Sequence, residues 1–79
     1  MNNYKYLSFV EMAPKPSTKV FSVRNKDSGF ELGTVKWYAP WYKYCFFIDS
    51  GGLVFDAGCL ADIQDFINKL MAERREEKK

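Results

Sequence analysis

The chain has 79 residues, with 12 Lys or Arg, 10 Asp or Glu, two Cys and no His. That length allows one small domain with a modest core, and 47% apolar with 28% charged residues marks it as globular, not disordered. The missing histidine excludes Ser-His-Asp and Cys-His catalytic pairs, and two Cys cannot fill a zinc site. No enzyme activity, metal or cofactor is expected.

The net charge of +2 is too small to dictate a nucleic-acid partner. Its distribution is uneven. Residues 1–48 carry seven basic and three acidic side chains, and residues 49–79 carry five and seven. The start, Met1-Asn2-Asn3-Tyr4-Lys5-Tyr6, lacks the apolar run of a signal peptide, and no stretch approaches a membrane span. A cytoplasmic location follows as the expectation, with Cys45 and Cys59 reduced and no membrane partner.

Residues 1–18 read as an arm or edge strand with a proline linker. Tyr4 to Met12 alternates imperfectly, Tyr4, Tyr6, Ser8 and Val10 against Lys5, Leu7, Phe9 and Glu11. Ala13-Pro14-Lys15-Pro16-Ser17 holds the chain extended and stops a ladder. Residues 19–75 then form a single strand-and-helix domain. Lys19 to Asn25 is rich in β-branched and aromatic residues, a strand signal. Asn25-Lys26-Asp27-Ser28-Gly29 is a turn, and Phe30 to Trp37 is the partner strand, where Gly33 predicts a bulge or a close contact. Pro40 breaks the ladder between Tyr38 and Tyr42. Lys43 to Asp49 is a third strand, Ser50-Gly51-Gly52 a tight turn, and Leu53-Val54-Phe55 a short further strand.

Asp56 suits a helix N-cap. Leu60, Ile63, Phe66, Ile67, Leu70 and Met71 recur at helical spacing, and Asp62, Gln64, Asp65, Asn68 and Lys69 take the other face. Asp65 and Lys69 form a favourable i,i+4 pair. The segment Glu73 to Lys79 should fray, leaving 76–79 as a charged tail. The expected fold is α+β: an antiparallel meander of three to five strands followed by one C-terminal amphipathic helix on one face.

Both sheet faces should carry large apolar groups. Phe30, Leu32 and Tyr38 oppose Val35 and Trp37, and Tyr44, Phe46 and Ile48 oppose Cys45 and Phe47. One helix cannot hide both faces, so the second needs the N-terminal arm, a second protomer or a ligand. A homodimer is expected on that ground. The densest stretch is Trp37 to Phe47, where seven of eleven residues are aromatic, half the total of the chain. Aromatic faces interleaved with cations suit stacking on bases while meeting phosphates. Trp37, Trp41, Tyr42 and Tyr44 are the candidate stacking groups, and Arg24, Lys36 and Lys43 the candidate phosphate contacts. Single-stranded nucleic acid or a nucleotide is the ligand this pattern fits. Trp and Tyr also make protein hot spots, so a protein-binding module anchored by Trp41 and Tyr42 is the competing reading. Cys59 lies in the first helical turn, but its place on the buried stripe favours packing over reactivity.

The stretches LGTVKWYAPWYKYCFF (32–47) and VFDAGCLADIQDFINKL (54–70) resemble a family of short uncharacterised phage and prophage proteins. The W-x-x-x-W spacing of Trp37 and Trp41 and the C-L-x-D-I helix start at Cys59 carry the resemblance. It covers residues 20–71 and implies an accessory protein of a mobile element in the cytoplasm of a bacterial host, where the protein-binding alternative becomes an inhibitor of a host defence protein. A second likeness is topological only. Strands followed by one C-terminal helix is also the plan of coactivator-like single-stranded-DNA-binding proteins, whose sequence motifs are absent here.

Overall fold

The computed structural model describes residues 4–12, 18–49 and 51–77. Four strands, β1 (Leu7–Glu11), β2 (Phe21–Asn25), β3 (Glu31–Tyr38) and β4 (Lys43–Ile48), pair in the order β1-β2-β3-β4, every pair antiparallel. One helix, α1 (Ala57–Glu77), follows. The α+β meander expected from the sequence is therefore the fold.

The local chemistry explains the turns. Asn25 Oδ1 accepts from the backbone N–H groups of Asp27 and Ser28, and Gly29 closes the β2–β3 hairpin at φ +75°. Pro40 opens a single 3-10 turn at Ala39–Trp41 between β3 and β4. Asp56 caps α1 by accepting from the Cys59 N–H at 2.9 Å. That bond holds the Asp56 carboxyl below the usual carboxylate range. Burial, reinforced by Asp56, pushes the Cys59 thiol up, the opposite of an activated helix-start cysteine.

Several expectations change. Leu53–Phe55 forms no strand, although the Phe55 ring packs on Phe46 at 5.6 Å. The helix does not fray at Glu73 but runs to Glu77. Leu60 leaves the buried stripe and is 54% exposed. Of the two readings of the N-terminal segment, an arm or an edge strand, its described residues take the second. The segment enters the sheet plane as edge strand β1, with Leu7 and Phe9 buried. The proline linker at 13–17, Ser50 of the tight turn and residues 78–79 of the tail lie outside the described residues.

The core sits between α1 and one sheet face. Leu7, Phe9, Phe21, Val23, Val35 and Tyr44 line the sheet side, and Ile63, Phe66 and Leu70 the helix side. Phe66 is the hub. Its ring stacks on Phe9 at 4.1 Å and meets Phe21 edge-on at 4.8 Å and Tyr4 at 6.3 Å. Tyr4 precedes β1, escapes its alternation and joins the core. Its hydroxyl donates to Asp65 at 2.6 Å, and Lys69 reaches the same carboxylate at 3.2 Å.

Gly33 shapes the middle of the sheet. The β2–β3 register shifts there, with Val23 opposite Gly33 but Arg24 opposite Glu31. Leu32 is the extra residue of this bulge and packs against the core, not beside Tyr38 as simple alternation predicts. A Cβ on Gly33 would overlap the Phe47 carbonyl oxygen and lie 2.8 Å from the Phe46 ring. Gly33→Ala should therefore cost about 1–3 kcal/mol in urea unfolding. Gly51→Ala, with nothing within 4 Å of the new methyl, should be close to neutral.

The Tyr4–Asp65 bond has a pH signature. The Tyr4 hydroxyl and then Lys69 hold the Asp65 carboxyl below its ordinary value, so this contribution is complete above about pH 4 and is lost as pH falls through the folded value. Burial, then the Asp65 hydrogen bond, hold the Tyr4 phenol above its ordinary value, so its contribution is complete below about pH 10 and is lost as pH rises further. Tyr4→Phe should lower the thermal midpoint at neutral pH. The gap to wild type should narrow at both extremes in a pH series of melts.

Candidate functional site

Among the described residues nothing covers the sheet face opposite α1, and its two halves differ. At β1 and β2 it is polar. Ser22 is only 1% exposed there, donating to Glu31 Oε2 at 2.9 Å and accepting from Arg24 Nε at 3.2 Å. Arg24 is thus tied into a bridge with its cross-strand neighbour Glu31 and borders the rest of the face.

At β3 and β4 the face is aromatic and basic. The register sets Tyr38 opposite Lys43, Lys36 opposite Cys45 and Thr34 opposite Phe47. These side chains share one face because the strand period is two. Tyr38 stands at the centre of a row, edge-on to Trp41 at 5.1 Å and to Phe47 at 5.8 Å. The Lys36 ammonium lies 4.7 Å over the Phe47 ring. Trp41 is 65% exposed, and Lys36 and Lys43 are exposed. The row thus offers three aromatic rings and two exposed cations.

The seven candidate residues do not all converge. Lys36, Trp41 and Lys43 meet on the open face, with Arg24 at its border. Trp37 and Tyr44 fall on the opposite face, by the same alternation. Tyr44 is buried, its N–H donating to Met71 Sδ and its hydroxyl accepting from the Lys19 N–H. Trp37 is half-buried at the C-terminal end of α1, with the Arg74 guanidinium 4.0 Å over its ring. Tyr42 sits at the hairpin tip, 78% exposed, its ring 6.5 Å from Trp37. Two residues of the open face were missing from the candidate list, Tyr38 and Phe47. Their parity with Lys36 and Lys43 was the available signal.

A groove of about 290 Å³ lies on the other side, between the β1–β2 edge and α1, with Phe9, Phe21 and Leu70 beside Lys19 and Glu73. It is separate from the aromatic row. Among the described residues no group of three His, Cys, Asp or Glu comes together in a way that could hold a metal ion, and no helix is long and apolar enough to cross a membrane.

Over 73 residues the chain is 41% identical to the "Uncharacterized 9.3 kDa protein" of Acholeplasma phage L2, an alignment spanning 91% of this chain and 92% of the phage protein. The chain belongs to that phage protein family. No family model and no solved structure matches it. The aligned length covers nearly the whole domain, so this phage protein shares a full-length plan with its relative, not an isolated motif.

One backbone feature marks the site. Tyr42 is the one non-glycine among the described residues with positive φ, at φ 53° and ψ 46°. The left-handed region costs an L-residue roughly 1–2 kcal/mol. The bend is fixed by Pro40 and by the bond from the Tyr42 N–H to the Ala39 carbonyl at 3.1 Å. A glycine would occupy that backbone at lower cost. Tyr42→Gly should leave the phage protein as stable as wild type or more so, by up to about 1 kcal/mol in thermal unfolding.

Proposed function

We propose that this phage protein is a non-enzymatic accessory module that binds single-stranded nucleic acid across the open face of its sheet, in the cytoplasm of an infected bacterium. One observation carries this reading: the Trp41–Tyr38–Phe47 row with Lys36 and Lys43 interleaved on an uncovered sheet surface. Bases stack on exposed aromatic faces, and each stacked base contributes about 1–3 kcal/mol whatever its identity. Lysines beside the rings meet the phosphates between bases. Lys36 covers the Phe47 ring in the free protein. A base that stacks there displaces the ammonium and leaves it free for a phosphate. The row lies along a sheet surface and not in the groove beside α1, which suits a polymer better than a sequestered mononucleotide.

The strained, exposed Tyr42 favours a second reading, in which Trp41 and Tyr42 anchor a host protein. Fluorescence anisotropy with a labelled oligothymidylate separates the two. Nucleic-acid binding predicts an affinity that falls with salt, with Lys43→Ala reducing the logarithmic slope by about 0.7. Trp41→Ala should weaken binding by about 5- to 150-fold. Unchanged affinity in both variants would sink the nucleic-acid reading and leave the hairpin as a protein anchor.

A further inference from the structure

We infer that two copies of this chain pair antiparallel through their β4 edges, so that Phe47 of each copy joins the two aromatic rows into one platform. The dimer stands on the edge chemistry below. Its use as a doubled platform rests on the nucleic-acid reading above.

β4 is an outer strand of an open sheet, paired on one side only, with β3. Such an edge is a template for another strand unless a proline, a bulge, inward charge or a covering element blunts it. The sequence of β4, Lys-Tyr-Cys-Phe-Phe-Ile, has no proline and a single charge, at its first residue. Its pairing with β3 is regular along its whole length. The Tyr44 N–H points away from β3 and is met by Met71 Sδ at 3.4 Å. By the alternation of an antiparallel ladder, the N–H groups of Phe46 and Ile48 point the same way. The helix thus guards one end of the edge, and toward Ile48 no bond from the described residues reaches the outward N–H groups of Phe46 and Ile48.

Register and charge choose the partner. A two-fold axis at Phe47 sets Phe46 opposite the partner subunit's Ile48, and Ile48 opposite the partner subunit's Phe46. Each of these pairs exchanges both backbone hydrogen bonds. Phe47 then faces the partner subunit's Phe47 as a non-hydrogen-bonded pair, with Cα atoms about 4.5 Å apart. The same register puts Asp49 opposite the partner subunit's Cys45 and diagonal to the partner subunit's Lys43, within reach of an ion pair. Ile48, 59% exposed in one copy, gains cover beside the partner subunit's Phe46. The other edge fits a second copy less well. β1 is a residue shorter and closes on Glu11, whose carboxylate would face the partner subunit's Phe9 in the equivalent pairing about Val10.

Paired strands of this length form a small interface, so the association should depend on concentration. Sedimentation equilibrium of the full chain without nucleic acid is the first test, and a monomer–dimer equilibrium is the expected result. Ile48→Pro removes only an outward-facing N–H, a change that edge strands tolerate. It should give a folded monomer by circular dichroism and sedimentation. As a second readout independent of that variant, Phe47→Cys in a Cys45→Ser, Cys59→Ser background should oxidise to a covalent dimer. Val10→Cys on β1 in the same background should not. A wild-type chain that stays monomeric, a dimer that survives Ile48→Pro, or cross-linking at Val10→Cys instead of Phe47→Cys would overturn the proposal. Sedimentation contains no ligand, so failure of the dimer and failure of oligonucleotide binding are read separately.

Discussion

The molecule depends on the packing of Phe66. Its ring stacks on Phe9 of β1, meets Phe21 of β2 edge-on and lies beside Tyr4. A chain of this size has little apolar area to spend, so its core must be concentrated. Placing the hub on the helix commits α1 to one sheet face. Among the described residues the other face then has no covering element of secondary structure, and its character has to come from the strands themselves.

That open face solves the burial problem differently in its two halves. At β2, Ser22 is buried as the middle member of a bridge between Arg24 and Glu31, so its hydroxyl is satisfied as donor and acceptor. This bridge exists because the bulge at Gly33 and Leu32 resets the parity of β3. It brings Glu31 to the open side and turns Leu32 into the core. At β3 and β4 the rings of Trp41, Tyr38 and Phe47 cover one another edge-on, and Lys36 covers what remains of Phe47. These contacts are weak individually. They cover Tyr38 and Phe47 in part and leave Trp41 largely exposed.

The aromatic hairpin thus serves two faces at once. Trp37 and Tyr44 belong to the helix side, where Arg74 and Met71 pack on them. Tyr38, Trp41 and Phe47 belong to the open side. Tyr42 lies between, in backbone that a smaller residue would occupy at lower cost. Gly33 is the point where both faces depend on one residue, because the bulge and the contact with Phe46 and the Phe47 carbonyl meet there.

The elements themselves were legible in the sequence. Period-two stretches rich in β-branched and aromatic residues gave β2, β3 and β4, Asn25 to Gly29 gave the hairpin, and Asp56 with Ile63, Phe66 and Leu70 gave the capped helix. These signals are local, so a linear reading captures them. The concentration of rings between Trp37 and Phe47 was equally plain, and so was the likeness to phage proteins. Which rings share a surface was not legible. Tyr44 and Trp37 went to the helix side and Tyr38 and Phe47 to the open side, because strand parity sends neighbours to opposite faces and pairing register decides who meets across strands. Arg24 looked like a free cation until the bulge brought Glu31 opposite it. Sequence alone determined a small meander-and-helix domain with an aromatic, basic hairpin. Only the tertiary structure decided which of those groups form one surface, because register, bulge and helix docking are contacts between residues far apart in the chain.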